Sequence, residues 1–231
     1  SKLGSGCNRV TGVEQVVTTG LIPYRQGWQL QHDYVTQIAS GQRKSTIIWV
    51  EHEPVYTVGK RTHSWERPSG DLVGGVEVID VDRGGKTTWH GPGQLTVYPL
   101  IKLAHLDVIE YVRALEGAVM QYLASLGLGA IRVPQRSGVW LPADEQRPER
   151  KICALGVRVT RGVTMHGIGL NVNPDLEAFS LERIIPCGIS DAGVTSLAAE
   201  LPGNWSVNEV ANQLRPYLEE HLSPLADPKS L

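Results

Sequence analysis

Two cysteines, one lysine and a run of glycines are the residues of this chain with the most chemistry to offer. Cys187 stands in Ile185-Pro186-Cys187-Gly188, between a residue that fixes the backbone and one that frees it. A thiol on such a loop can meet a substrate, whereas a cysteine inside a strand normally cannot. The thiolate is the reactive form, and a free thiol with pKa ~8.5 is mostly protonated at neutral pH, so a nucleophile of this kind needs a cation nearby. A lone cysteine is nevertheless more often a small inert hydrophobe. Lys151-Ile152-Cys153 offers a competitor, because in a strand Lys151 and Cys153 share a face. The bland readings are a packed Cys153 beside Ala154, and a Lys151 that ends the solvated run Arg147-Pro148-Glu149-Arg150-Lys151.

Arg83-Gly84-Gly85-Lys86-Thr87-Thr88-Trp89-His90-Gly91-Pro92-Gly93-Gln94 packs four glycines, two cations and a histidine into twelve residues. It matches neither G-x-x-x-x-G-K-[ST] nor G-x-G-x-x-G. Its glycines would let a ligand approach the main chain closely, or would simply serve a hairpin with a Gly-Pro-Gly turn. His52, His63, His90 and His166 invite a metal, but no pair has H-x-x-x-H or C-x-x-C spacing, and no metal site is expected. There is no G-x-S-x-G elbow for a serine triad.

The elements that must hold these residues follow from periodicity. Tyr24, Trp28, Tyr34, Val35 and Ile38 predict an early helix in spite of Gly27. Thr46–Val50, Pro54–Val58, Val76–Val81 and Leu95–Ile101 read as strands. Asp107 with Glu110 forms a capping box ahead of a helix from Val108 to Leu126, closed by Gly127. Ile152–Val159 and Val163–Val172 predict a hairpin turning at Arg161-Gly162, and Ser206 with Glu209 opens a last helix through Val210, Leu214, Leu218 and Leu222. The order does not alternate as βαβ. It predicts one α+β domain over residues 1–231, a mixed or antiparallel sheet with flanking helices, and loose ends at about 1–8 and 223–231.

Composition bounds the classes available. The chain has 231 residues, 41% hydrophobic and 20% charged, enough for a sizeable core. A net charge of −2 argues against a general nucleic-acid binder. Nothing approaches the ~18 consecutive apolar residues of a membrane span, and no apolar leader core is expected at the N-terminus. Three widely spaced cysteines exclude a disulfide framework and suggest a reducing, cytoplasmic setting.

Taken together, the segments resemble the lipoyl(octanoyl) transferase family of the biotin/lipoate protein ligase superfamily. The resemblance is carried by Glu51 through Gly59, Arg83 through Gln94, Lys151 through Arg158, His166 through Asn173, Ile185 through Ile189 and Val194 through Leu197, in family order. It implies a mixed β-sheet flanked by helices. It implies transfer of an octanoyl group from the phosphopantetheine thioester of acyl carrier protein to a lysine of lipoyl domains of 2-oxoacid dehydrogenases or of the glycine-cleavage carrier protein. Cys187 would be the acyl-thioester nucleophile and Lys151 the residue that lowers its pKa. Arg83, Gly84, Gly85, Lys86, Thr87, Thr88, Trp89, His90, Ala154, Leu155, Gly156, Gly167, Ile168 and Gly169 would line the acyl site. No cofactor and no metal are implied, and a cytoplasmic monomer is expected.

Three departures stand out. The stretch from Phe179 to Cys187 is about two residues longer than the family pattern, Gly169 takes a place expected for Ala, and Cys153 one expected for another small residue. Two rival functions remain open to test. An ATP-dependent lipoate or biotin ligase forms an acyl-adenylate and has no use for the Pro-Cys-Gly loop. A non-catalytic carrier-protein-binding module has no use for the Lys151 and Cys187 pair. Arg43-Lys44, Lys60-Arg61, Arg132, Arg136 and Arg147-Arg150 are the cations from which a docking face for an acidic carrier protein would be drawn.

Overall fold

Apolar runs too short for helices become the strands of two sheets in the computed structural model, which describes residues 12–68, 70–180 and 193–231. In chain order the elements are β1 (Glu14–Ile22), α1 (Tyr24–Ala39), β2 (Thr46–His52), β3 (Val55–Val58), β4 (Leu72–Val73), β5 (Val76–Asp80), β6 (Thr88–His90) and β7 (Gln94–Leu100). They continue with α2 (Val108–Ser125), β8 (Ile131–Val133), β9 (Arg136–Leu141), β10 (Arg150–Thr160), β11 (Val163–Asn171), β12 (Gly193–Val194), α3 (Leu197–Glu200) and α4 (Val207–Leu222).

The large sheet runs β1-β2-β7-β11-β10-β9-β8, with β12 added on β10. It is mixed: β1 with β2 and β10 with β12 are parallel, and the remaining pairs are antiparallel. The small sheet runs β4-β5-β3-β6. The fold is α+β, as expected from the sequence, but the strands divide between two sheets, and β1 was not foreseen.

Both faces of the large sheet are covered. The apolar stripe of α2 (Tyr111, Leu115, Val119, Leu123) and that of α4 (Val210, Leu214, Leu218, Leu222) close one face together with Ile47, Val97 and Ile152. On the other face Val35 and Ile38 of α1 meet Ile48, Val50, Tyr98 and Met165. Burial of side chains this size stabilises by about 1.5–3 kcal/mol each, so these two stripes fix where the sheet lies. The capping residues act as their spacing requires: Asp107 accepts from the Glu110 amide at 3.0 Å and Ser206 from the Glu209 amide at 3.3 Å. Gly27 is tolerated inside α1 because the helix lies on His52, whose Cε1 would be 2.9 Å from a Cβ there.

The C-terminal tail corrects the expectation of a loose end at 223–231. Ser223–Leu225 and Pro228–Ser230 form 3₁₀ turns, the Asp227 amide donates to the Lys102 carbonyl at 2.7 Å, and the Ser45 amide donates to the Ser230 carbonyl at 2.7 Å. Its two prolines sit in the first turns of those short helices, where their fixed φ is an asset. The expected loose end at 1–8 lies outside the described residues.

Candidate active site

A cleft opens on the α1 side of the large sheet, between that sheet and edge strand β6 of the small one. The hairpin β10–β11 and strand β7 supply one wall. The loop before β6 supplies the other, with Tyr24 at the start of α1 and Ser137 of β9 at its ends. Of the residues singled out from the sequence, Arg83, Lys86, Thr87, Thr88, His90, Lys151, Ala154, Leu155, Gly156, Gly167, Ile168 and Gly169 come together here. Trp89 does not: strand alternation turns Thr88 and His90 to the cleft and Trp89 into the core of the small sheet, edge-on to Phe179. Gly84 and Gly85 also lie off the cleft, Gly84 bonded through its amide to the Val157 carbonyl.

Lys151 stands on the wall. A bulge between Lys151 and Cys153 breaks the alternation of β10, so that Ile152 and Cys153 both join the main core while Lys151 reaches the cleft. Gly138 allows the close crossing of β9: at φ +98, a Cβ there would lie 2.4 Å from the Cys153 carbonyl oxygen. Lys151 is only 8% exposed, with Nζ 5.1 Å from the Trp140 ring centroid. Burial brings its pKa down to about 8, against a smaller upward pull from the neighbouring Cys153. Among the described residues no carboxylate pairs with it. Burial likewise pushes the Cys153 thiol up, far from thiolate, and it does not line the cleft.

Strand order explains why the sheet opens beside Lys151. β11 pairs with β10 from Cys153 onward, whereas at Arg150 and Lys151 the neighbour is β12, through Gly193 and Val194. Cys187, singled out as the nucleophile, lies outside the described residues.

The back of the cleft is polar but neutral, apart from one cation. Gln94 donates to the Trp89 carbonyl and to Asn171 Oδ1, so its oxygen faces His90 Nδ1 at 2.7 Å and that nitrogen carries the proton. His52 donates from Nδ1 to the Ile22 carbonyl at 2.8 Å and accepts from the Tyr98 hydroxyl at 2.6 Å. Burial lowers His52 to about 4 and His90 to about 3, so both are uncharged at neutral pH. His166 bonds Asp82 at 2.8 Å, and this bond above all, followed by attraction to His166 and Arg158, holds the Asp82 carboxyl well below its ordinary range. His52 and His90 are thus satisfied by their own partners rather than by a shared centre, whereas His166 Nδ1 is buried without a partner among the described residues. Arg83, 6% exposed, donates to the Thr57 carbonyl at 3.0 Å and hydroxyl at 2.8 Å, with no carboxylate partner among the described residues. An anion or a developing oxyanion would meet a cationic, water-poor cleft.

The wall glycines are there for close backbone approach. A Cβ on Gly167 would fall 2.2 Å from the Val97 carbonyl oxygen, and one on Gly156 2.7 Å from that of Gly84. One on Gly169 would meet Gln94 Oε1 at 2.7 Å. Sequence reasoning missed Tyr24, Thr96, Tyr98 and Ser137. The two tyrosines were absorbed into an apolar stripe and a strand; only their burial beside ionisable neighbours sets them apart.

The fold and site define a class. Residues 23–219 match the model of the lipoyl protein ligase A/B catalytic domain, and the chain belongs to that family. Within it, the chain is 54% identical over 192 residues to an octanoyltransferase of Thermobifida fusca, covering 82% of this chain and 80% of the relative. It is 47% identical over 214 residues to one of Salinispora tropica, covering 92% and 96%. Among solved structures, a bipartite lipoate protein ligase from Thermoplasma acidophilum superposes with a TM-score of 0.66 at 18% identity, covering 91% of this chain and 84% of that one. A biotin protein ligase from Aquifex aeolicus in complex with biotin and ATP gives 0.55 at 15%, covering 91% and 70%. These two likenesses speak for the fold alone.

Proposed function

We propose that the chain moves an octanoyl group from the thioester of an acyl carrier protein to a lysine of a lipoyl domain, through a thioester on Cys187, without ATP. Octanoyl transfer in protein lipoylation follows from about 50% identity to octanoyltransferases over most of the chain. The donor, the cysteine intermediate and the acceptors are our reading, as is a monomeric, cytoplasmic enzyme. The acceptors would be lipoyl domains of 2-oxoacid dehydrogenases and the glycine-cleavage carrier protein.

One observation carries it: a buried lysine with a lowered pKa sits on the cleft wall where β11 gives way to β12, the strand that follows the cysteine-bearing stretch. Thiolate and ammonium form the starting pair, the cation favouring the ionised sulfur. Sulfur attacks the thioester carbonyl, the new C–S bond forms, the old one breaks, and Lys151 gives its proton to the departing thiolate. Because one thioester replaces another, the step is nearly neutral in energy. The acceptor amine then attacks the acyl-cysteine, the C–N bond forms, the C–S bond breaks, and neutral Lys151 takes the proton. The pair returns to its starting state.

The test is transfer in a mixture of pure protein, octanoyl-carrier protein and unmodified lipoyl domain with no nucleotide present. A lipoyl domain heavier by one octanoyl group supports the reading; transfer that depends on ATP overturns it in favour of a ligase.

A further inference from the structure

A second concavity adjoins the acyl cleft, and its lining is different in kind. Lys60, Arg61 and Lys86 converge on it, with Arg136 from β9, and among the described residues no carboxylate lines it. Lys86 and Ser137 line both cavities, so one leads into the other. Several other described cations are neutralised in place: Arg43 bonds Glu14, Arg132 bonds Glu116, and Arg147 and Arg150 bond Glu200. Lys60 and Arg61 are exposed and form no ion pair with a described residue. Lys86 is paired, at 2.8 Å from Glu66.

The backbone that carries these charges is held in place. The Gly59 amide donates to the Lys86 carbonyl at 3.3 Å, that of Lys60 to Arg83 at 3.1 Å and that of Arg61 to Gly85 at 3.0 Å. A Cβ on Gly59 would fall 2.4 Å from the Gly85 oxygen, so the loop carrying Lys60 and Arg61 lies directly on the glycine loop that carries Lys86. Thr62 lines the same groove, and its hydroxyl oxygen is buried and without a partner among the described residues. Like charges gathered on one groove repel, and an anion there relieves that repulsion.

We propose that this groove binds the phosphate of a phosphopantetheine arm, the anion a thioester donor carries at the end away from its sulfur. The inference rests on the donor named under the proposed function: with the acyl chain in the cleft, the arm extends beyond it, and this groove adjoins the cleft through Lys86 and Ser137. Such an arm is presented by a carrier protein or by free coenzyme A.

The experiment compares octanoyl-phosphopantetheine with octanoyl-pantetheine as donors to the full chain at low salt. One to two charge-assisted contacts predict a kcat/KM about tenfold or more higher for the phosphorylated donor. In the double variant Lys60→Ala, Arg61→Ala, both exposed positions, this ratio falls below about twofold. Lys60→Arg, Arg61→Lys, which keeps the charge, retains most of it. Equal efficiencies of the two donors in the wild type, or an unchanged ratio in the alanine variant, overturn the groove while leaving octanoyl transfer intact. Failure of every thioester donor overturns the groove and the proposed function together. Parallel assays with octanoyl-carrier protein and octanoyl-coenzyme A assign the source, the alanine variant weakening whichever donor uses the groove.

Discussion

Lys151 and Val194 are register partners across a parallel bridge, and the amide of Thr195 donates to the Lys151 carbonyl at 2.9 Å. β12, the strand that follows residues 181–192 in sequence, therefore lies beside the lysine. The proposed nucleophile, Cys187, precedes that strand by six residues in sequence. The predictions below follow from that arrangement and from the burial it imposes.

Lys151→Met should raise stability while abolishing transfer. The lysine's folded pKa of about 8 lies below the ordinary 10.5, so the unfolded chain binds more protons between those values. The wild type is most penalised below pH 8 and recovers as pH rises toward 10.5. Methionine removes the charge, so denaturant melts at pH 7 should show a gain of about 2 kcal/mol that shrinks by pH 10. A gain that grows with pH would contradict the assignment.

Arginine at the same place keeps the charge but does not release a proton at working pH. Lys151→Arg should retain part of the self-acylation and lose transfer to the lipoyl domain. In the wild type the transfer step should rise with pH to a plateau above about 8, measured by single-turnover assays from pre-acylated protein. Wild-type transfer by the arginine variant would remove Lys151 from proton transfer.

Glu200 clamps the same corner, accepting from Arg150 Nε at 2.6 Å and from the Thr195 hydroxyl at 2.7 Å. These bonds, that from Arg150 first, lower its pKa from 4.5 to about 2. Its contribution is full above pH 4.5 and is lost as pH falls toward 2. Glu200→Gln should cost about 1–2 kcal/mol at pH 7, a difference that closes near pH 2, and should slow acylation. Equilibrium unfolding across that range measures it.

Gly169→Leu should act on Gln94 before it acts on chain length. The added Cβ points at the amide that holds His90, so the variant should lose about 1–3 kcal/mol. The sequence reading, an alkyl slot, expects instead a lowered octanoyl-to-hexanoyl rate ratio. A stable variant with a lowered ratio would favour the slot over the Gln94 contact, and thermal melts beside that ratio separate the two.

Helices with capped ends and wide apolar stripes, α2 and α4, were legible because each stripe and cap acts within one segment. So was the β10–β11 hairpin, marked by its Arg161-Gly162 turn. β1 was not, because this edge strand exposes Val17 and Leu21 and carries Thr18, Thr19 and Gly20, which dilute any pattern. Trp89 was read as lining because the glycine loop was taken as one ligand surface, whereas β6 alternates. The tail was misread for the opposite reason: prolines look like looseness until backbone partners such as Lys102 and Ser45 are known. Lys151 was legible only through its motif. Its bulge and its lowered pKa come from strands that meet it from far along the chain.

The central claim is that the acyl group rests on Cys187. Intact-mass and peptide mapping of the protein after exposure to octanoyl-carrier protein, without ATP, tests it most directly. The account predicts one octanoyl adduct, mapped to Cys187, retained in Cys153→Ser and absent in Cys187→Ser. An adduct that survives in Cys187→Ser and disappears in Cys153→Ser would contradict it, and would make the buried thiol the nucleophile.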